Sequence, residues 1–138
     1  MSKIICISCV KSKLARRSRA ENMYVGPWFT KALRYAKSQR PDRIFVLSAE
    51  HGLLKLDQEI EPYEKTLLRM RKRERENWSQ RVLSQLNEIT NLKSDEFTLL
   101  AGWKYREFLQ PAMTHIVVPM EGLKIGEQLQ WLDRHTDE

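Results

Sequence analysis

The stretch ICISCVKSK, Ile5–Lys13, begins as a buried strand and ends as a basic turn. Counting the residues before it, the strand pattern fills Lys3–Ser8. Its near-continuous apolar run (Ile4, Ile5, Ile7) suits a parallel strand covered on both faces better than a half-exposed antiparallel one. Three further segments share this character: RIFVLS (Arg43–Ser48), FTLLA (Phe97–Ala101) and HIVVP (His115–Pro119). Helical patterns alternate with them. Pro27–Gln39 sets Trp28, Ala32, Tyr35 and Ala36 on one side, with Pro27 suited to the first turn. A longer helix from about Lys65 to Thr90 carries Trp78, Val82, Leu86 and Ile89 at three- and four-residue spacing. A short one around Lys104–Leu109 stops before Pro111, and a last one, about Ile125 to Arg134, carries Ile125, Leu129 and Leu132. The order β-α-β-α-β-α-β-α predicts a single α/β domain over residues 1–138, with a mostly parallel four-stranded sheet flanked by helices.

In such sheets ligands bind outside the carboxyl ends of the strands. Those ends read SCVKSK, SAEHGLL (Ser48–Leu54), AGWKYRE (Ala101–Glu107) and PMEGLKIGEQ (Pro119–Gln128). Cys9, Lys11, Lys13, Ser48, Glu50, His51, Trp103, Lys104 and Glu121 therefore fall on one edge. His51 can exchange protons near neutral pH, and Gly52 lets the chain turn sharply beside a ligand. Glu50 suits general acid–base work or stabilisation of a sugar cation. His115 starts the fourth strand at the opposite edge, and His135 lies near the C-terminal tail; both are left out of the site.

Two segments can close over that edge. EIEPYEKTL, Glu59–Leu67, is a long connection in which Pro62 disfavours helix at Glu61, so Glu61 and Tyr63 can fold back as a rim. In ENMYVGPWFTKA, Glu21–Ala32, Tyr24 lies near the basic cluster KSKLARRSR, Lys11–Arg19. Aromatic faces beside cations suit base stacking and phosphate neutralisation. Arg16, Arg17, Arg19 and Lys104 are the candidate nucleic-acid contacts; Lys11, Lys13, Ser48, Tyr24, Tyr63 and Trp103 are the candidate substrate contacts. A second cluster, RMRKRER at Arg69–Arg75, has glutamates interleaved and fits a solvated helix face.

The net charge of +6 favours polyanionic partners, nucleic acid or nucleotide. No apolar run approaches the roughly 18–20 residues of a membrane span, and no leader pattern precedes the first strand, so a cytoplasmic location without membrane contact is expected. Cys6 and Cys9 lie on or after one strand and point to opposite faces, which disfavours a disulfide; a lone C-x-x-C is weak evidence for zinc. Cys6 reads as a core residue. Cys9 is either a buried small side chain or a thiol activated by Lys11 and Lys13. No metal or cofactor is called for. The chain lacks a G-x-x-x-x-G-K-[ST] phosphate loop, and its first turn has no Rossmann glycines.

Together SCVKSK, MYVGPWFTKA, LSAEHGLL and IEPYEKTL resemble the DUF6884 family of small bacterial and phage proteins, with its Cys-Ser-x-x-Lys-like start, Ser-Ala-x-His-Gly-Leu segment and Glu-Pro-Tyr segment. The resemblance spans nearly the whole chain, although Ser8 here precedes Cys9 where the family pattern places the serine after the thiol. More distantly it resembles the YaaA group and domains of archaeosine-type tRNA-modifying enzymes. That resemblance implies a uracil-DNA-glycosylase-like three-layer sandwich, and work on a nucleobase in DNA modification or phage defence.

Three readings follow. In the first, the protein is a glycosylase-type enzyme on DNA (more than RNA) or nucleotides. Lysines and arginines hold phosphate, Tyr24 and Tyr63 flank an extruded base, and Glu50 or Glu61, assisted by His51, act at the sugar. In the second, Cys9 modifies a base covalently, for example at the nitrile of a 7-deazaguanine. In the third, the chain is a non-catalytic nucleic-acid-binding module.

Overall fold

The computed structural model describes residues 1–137. The strand expected from the opening stretch, β1 (Lys3–Ser8), is the centre of the sheet. It pairs in parallel with β3 (Arg43–Ser48) on one side and β6 (Glu96–Leu100) on the other, so Cys6 stands between Phe45 and Leu99. Being covered above, below and on both edges explains why Ile4, Ile5, Cys6 and Ile7 are all buried. With β4 (Gly52–Lys55) beside β3 and β7 (His115–Val117) parallel to β6, the full order is β4-β3-β1-β6-β7.

The sheet has five strands rather than the four expected. β4 (Gly52–Lys55) runs antiparallel to β3, with Ser48 opposite Gly52. Gly52 sits at φ +74°, where a side chain is strained. A Cβ there would run into the Gln85 amide, whose oxygen accepts from the Leu53 amide at 2.8 Å. A two-stranded ribbon, β2 (Ser18–Arg19) with β5 (Glu59–Ile60), pins the basic loop to the Glu-Pro-Tyr connection.

The connections place helices on both faces. β1 leads leftward through α2 (Pro27–Ser38) to β3, whereas β4 leads rightward through α3 (Lys72–Ile89) to β6. β3 and β6 both run parallel to β1, with β4 an antiparallel excursion between them, so right-handed crossovers in opposite directions put α2 and α3 on opposite faces. α5 (Ile125–His135) packs on α2, where the Tyr35 and Trp131 rings meet edge-on at 5.0 Å and Trp28 Nε1 donates to Gln128 at 2.8 Å. Trp28 is therefore a half-buried rim residue, and Phe29 fills the core position instead. The short α1 (Ala20–Met23) and the single turn α4 (Trp103–Arg106) complete the elements used below.

α3 starts seven residues later than the periodicity predicts. Thr66 caps the Leu68 amide at 3.2 Å, and Leu67–Arg69 forms a 3-10 turn that buries Leu67. Among the described residues, no helix is long and apolar enough to cross a membrane.

Candidate functional site

β1 and β6 are adjacent, yet the chain leaves them in opposite directions. The crevice beyond their carboxyl ends is the topological switch point, where open α/β sheets place ligands. Cys9 occupies it. Its amide donates to Leu47 O at 2.9 Å, continuing the β1–β3 ladder by one residue, and its Sγ lies 3.3 Å from the Tyr105 hydroxyl, carried by α4 after β6. The Tyr105 ring stands edge-on to Trp78 of α3 at 5.6 Å. Burial, then the neighbouring Cys9, pushes the Tyr105 hydroxyl above its ordinary range, so it keeps its proton. Cys6, by contrast, is sealed in the core, and burial raises its thiol to about 12; it is inert packing, as its place on the strand predicts.

The loop after Cys9 doubles back so that Lys13 faces Tyr24 across an antiparallel bridge. Lys13 Nζ donates to the carbonyls of Val10 (2.9 Å) and Lys11 (3.1 Å) and sits 4.6 Å from the centroid of the Tyr63 ring. Burial lowers its pKa, while Cys9 and Glu64 pull the other way. Two carbonyls and an aromatic face hold a partly desolvated cation in one place.

A chain of hydroxyls runs beside this cation. Ser48, the last residue of β3, accepts from the His51 amide at 3.0 Å and donates to Tyr63 Oη at 2.8 Å. Tyr63 and Tyr24 hydroxyls are 2.6 Å apart. Burial first, with Cys9 adding, raises Tyr24 to about 12, and the same two causes drive Tyr63 upward. All three groups are therefore protonated at neutral pH. Three hydroxyl protons serve two hydroxyl–hydroxyl contacts, so one phenolic proton, on Tyr24 or Tyr63, remains to be donated elsewhere. His51 stands edge-on to Tyr63 at 5.5 Å, and its Nε2 is buried with no hydrogen-bond partner among the described residues. Trp78 Nε1 donates to the Ser48 carbonyl at 2.8 Å and fixes the strand end.

Thus Cys9, Lys13, Tyr24, Ser48, His51 and Tyr63 are brought together from four segments of the chain. The other candidates lie around them. Lys11 is exposed and contributes its carbonyl. Glu50 is exposed and pairs loosely with Lys65 at 3.9 Å, while Arg81 holds the Glu50 carbonyl. Glu61 pairs with Arg17 at 3.3 Å on the surface, Arg19 pairs with Glu21 at 3.6 Å, and Arg16 is exposed. Lys104 Nζ donates to Leu68 O at 3.3 Å. Trp103 is exposed and faces the β6–β7 side. His115 sits at the amino edge opposite Glu96, and His135 stacks on Trp131, both away from the cluster.

Sequence reasoning missed Tyr105, Trp78 and Glu64. Tyr105 lies in a segment already singled out, between Lys104 and Arg106; only the phase of the single helical turn decides which of its side chains reaches Cys9. Among the described residues, no group of three or more His, Cys, Asp or Glu side chains is placed to hold a metal ion.

These placements coincide with the segments that carried the family resemblance, and a family model matches residues 4–134. The chain belongs to DUF6884, a family of unknown function. Comparisons with curated proteins and with solved structures find no match.

Proposed function

We propose that this DUF6884 protein is a nucleobase-processing enzyme, acting on DNA or nucleotides, with Cys9 as the reacting group. The observation that carries the proposal is the contact between Cys9 and Tyr105 at the switch-point crevice, beside a fixed Lys13 ammonium and a hydroxyl chain with one proton to spare. Both carboxylates that glycosidic cleavage first suggested, Glu50 and Glu61, are engaged with surface cations instead.

In this reading the Cys9 sulfur bonds to an electrophilic carbon of the base, such as that of a nitrile, and the thiol proton ends on the nitrile nitrogen. Water then adds to the thioimidate carbon, and the C–S bond breaks to return the thiol and release an amide. The Tyr24–Tyr63 pair donates to the nitrogen as charge develops there, and Lys13 stabilises negative charge. Arg16, Arg17 and Lys11 line the approach for phosphates. Cytoplasmic residence belongs to the proposal, since it keeps both thiols reduced. So does kinship with the YaaA group and uracil-DNA-glycosylase-like domains, which a doubly wound sheet with its site at the switch point supports.

One observation favours N-glycosidic cleavage as the second reading. Glu64, an exposed carboxylate of the same Glu-Pro-Tyr segment, opposes the lowering of the Lys13 pKa that burial causes, and in this reading it serves at the sugar in place of Glu50 and Glu61. Alkylation separates the two. In the thiol reading, iodoacetamide modifies Cys9, substrate slows that modification, and turnover is lost in step with it. Turnover that survives full modification of Cys9, but disappears in Glu64→Gln, assigns the reaction to the carboxylate.

A further inference from the structure

A cavity opens beside α4. It lies between the carboxyl ends of β6 and β7, encloses about 210 Å³, and is walled by Leu99, Val118, Met120 and Leu123. That is below the roughly 300–1,000 Å³ of pockets that swallow a whole drug-sized ligand, and is on the scale of one planar ring system. Trp103 and Arg106, three residues apart on the single turn, both line it. Trp103 is 53% exposed although large and apolar, and the Arg106 guanidinium covers one face of its indole at 5.5 Å.

Arg106 is 6% exposed, an unusual degree of burial for a cation. Its Nε donates to Ala101 O at 2.8 Å, and its Nη1 donates to Gln110 at 2.8 Å and Glu121 at 3.1 Å. Among the described residues nothing accepts from Nη2, although Nη2 is not one of the sealed-off atoms. Two donors of an accessible guanidinium nitrogen are thus left to water or to a ligand. The Glu121 side chain, 65% exposed, offers acceptor capacity beside those donors. A donor next to an acceptor in a small, largely polar-lined cavity, with an exposed indole alongside, complements the edge of a heteroaromatic base.

We propose that this β6–β7 cavity is a nucleobase-binding subsite, in which the ring stacks on Trp103, accepts from Arg106 Nη2 and donates to Glu121. Only the choice of a nucleobase over another flat heterocycle rests on the functional reading above. The base comes either from a free nucleotide or from a strand.

Calorimetric titration of the Cys9→Ser protein tests this without turnover consuming the ligand. The probes are guanosine 5′-monophosphate, uridine 5′-monophosphate, ribose 5-phosphate and a short single-stranded oligonucleotide. The expected result is binding of at least one base-containing probe, weakened about tenfold by Trp103→Ala and less by Glu121→Ala, with ribose 5-phosphate failing to bind. Because both side chains contact the buried Arg106, unfolding of each variant is followed first, and a retained Tm qualifies it for the titration. A mononucleotide that binds alone identifies free nucleotide as the source; binding of the oligonucleotide only identifies a strand. Affinity unchanged in Trp103→Ala, ribose 5-phosphate binding as tightly as the nucleotides, or no binding of any probe would overturn the subsite. Trp103-dependent binding in a protein with no turnover would keep the subsite and remove the enzymatic reading; turnover with Trp103-independent binding would do the reverse.

Discussion

Tyr63 is the residue on which the cluster turns. It accepts from Ser48, contacts Tyr24, carries Lys13 over its face and meets His51 at its side. Tyr63→Phe keeps the ring and removes the oxygen, leaving the buried hydroxyls of Ser48 and Tyr24 without that partner. A loss of about 1–2 kcal/mol is expected from denaturant unfolding, with a fall in turnover and no loss of Lys13-dependent binding. Glu50→Gln and Glu61→Gln act on exposed ion pairs, which contribute little; kinetics on both should match the unsubstituted protein, and a collapse in either would return the reaction to that carboxylate. Single residues were partly legible from sequence. Cys9, Lys13, Ser48 and His51 are fixed by adjacency to strand ends, which periodicity locates. Whether Glu61 or Tyr63 enters the cluster depends on how an irregular loop folds back, and no period governs that.

At the scale of elements, the β3–β4 hairpin shows what local chemistry decides. Gly52→Ala must adopt a positive φ and displace the Gln85 amide. A destabilisation of about 1–3 kcal/mol is expected. Gln85→Ala in the same chain relieves the collision but not the backbone strain, so it should restore only part of the loss; full restoration would assign the whole cost to the side chain. The hairpin itself was hidden because SAEHGLL reads equally as a loop leaving a strand. The ribbon of β2 and β5 is two residues a side, too short for alternation to register. Asp95 ties another junction: its carboxylate accepts from the Ser2 and Asn91 amides at 2.8 Å each. Those two bonds hold its pKa down, against burial. A carboxylate depressed on folding stabilises fully above its unfolded value near 3.9, and that stabilisation is lost as pH falls through the lower folded value. Asp95→Ala should therefore lower Tm at pH 7, with the deficit shrinking below about pH 4. A deficit constant across that range would show that the carboxylate charge is not involved.

For the whole molecule, the parallel sheet was legible because four apolar runs alternate with helical periods, and the two longest strands, Lys3–Ser8 and Arg43–Ser48, fall where the pattern sets them; the fourth run, expected to be covered on both faces, is the edge strand β7, where His115 and Val117 are exposed. Strand order was not legible. Which neighbours β1 takes depends on crossover directions that leave no trace in composition, and this order is what creates the crevice between the β1 and β6 ends. The central claim is that chemistry on a base happens there, at Cys9. The most direct measurement incubates the protein and its Cys9→Ser variant with unmodified and modified DNA and with nucleotides, digests the products to nucleosides and weighs them by mass spectrometry. The account predicts a base altered in mass by the unsubstituted protein and left intact by Cys9→Ser; an identical product from both proteins would contradict it.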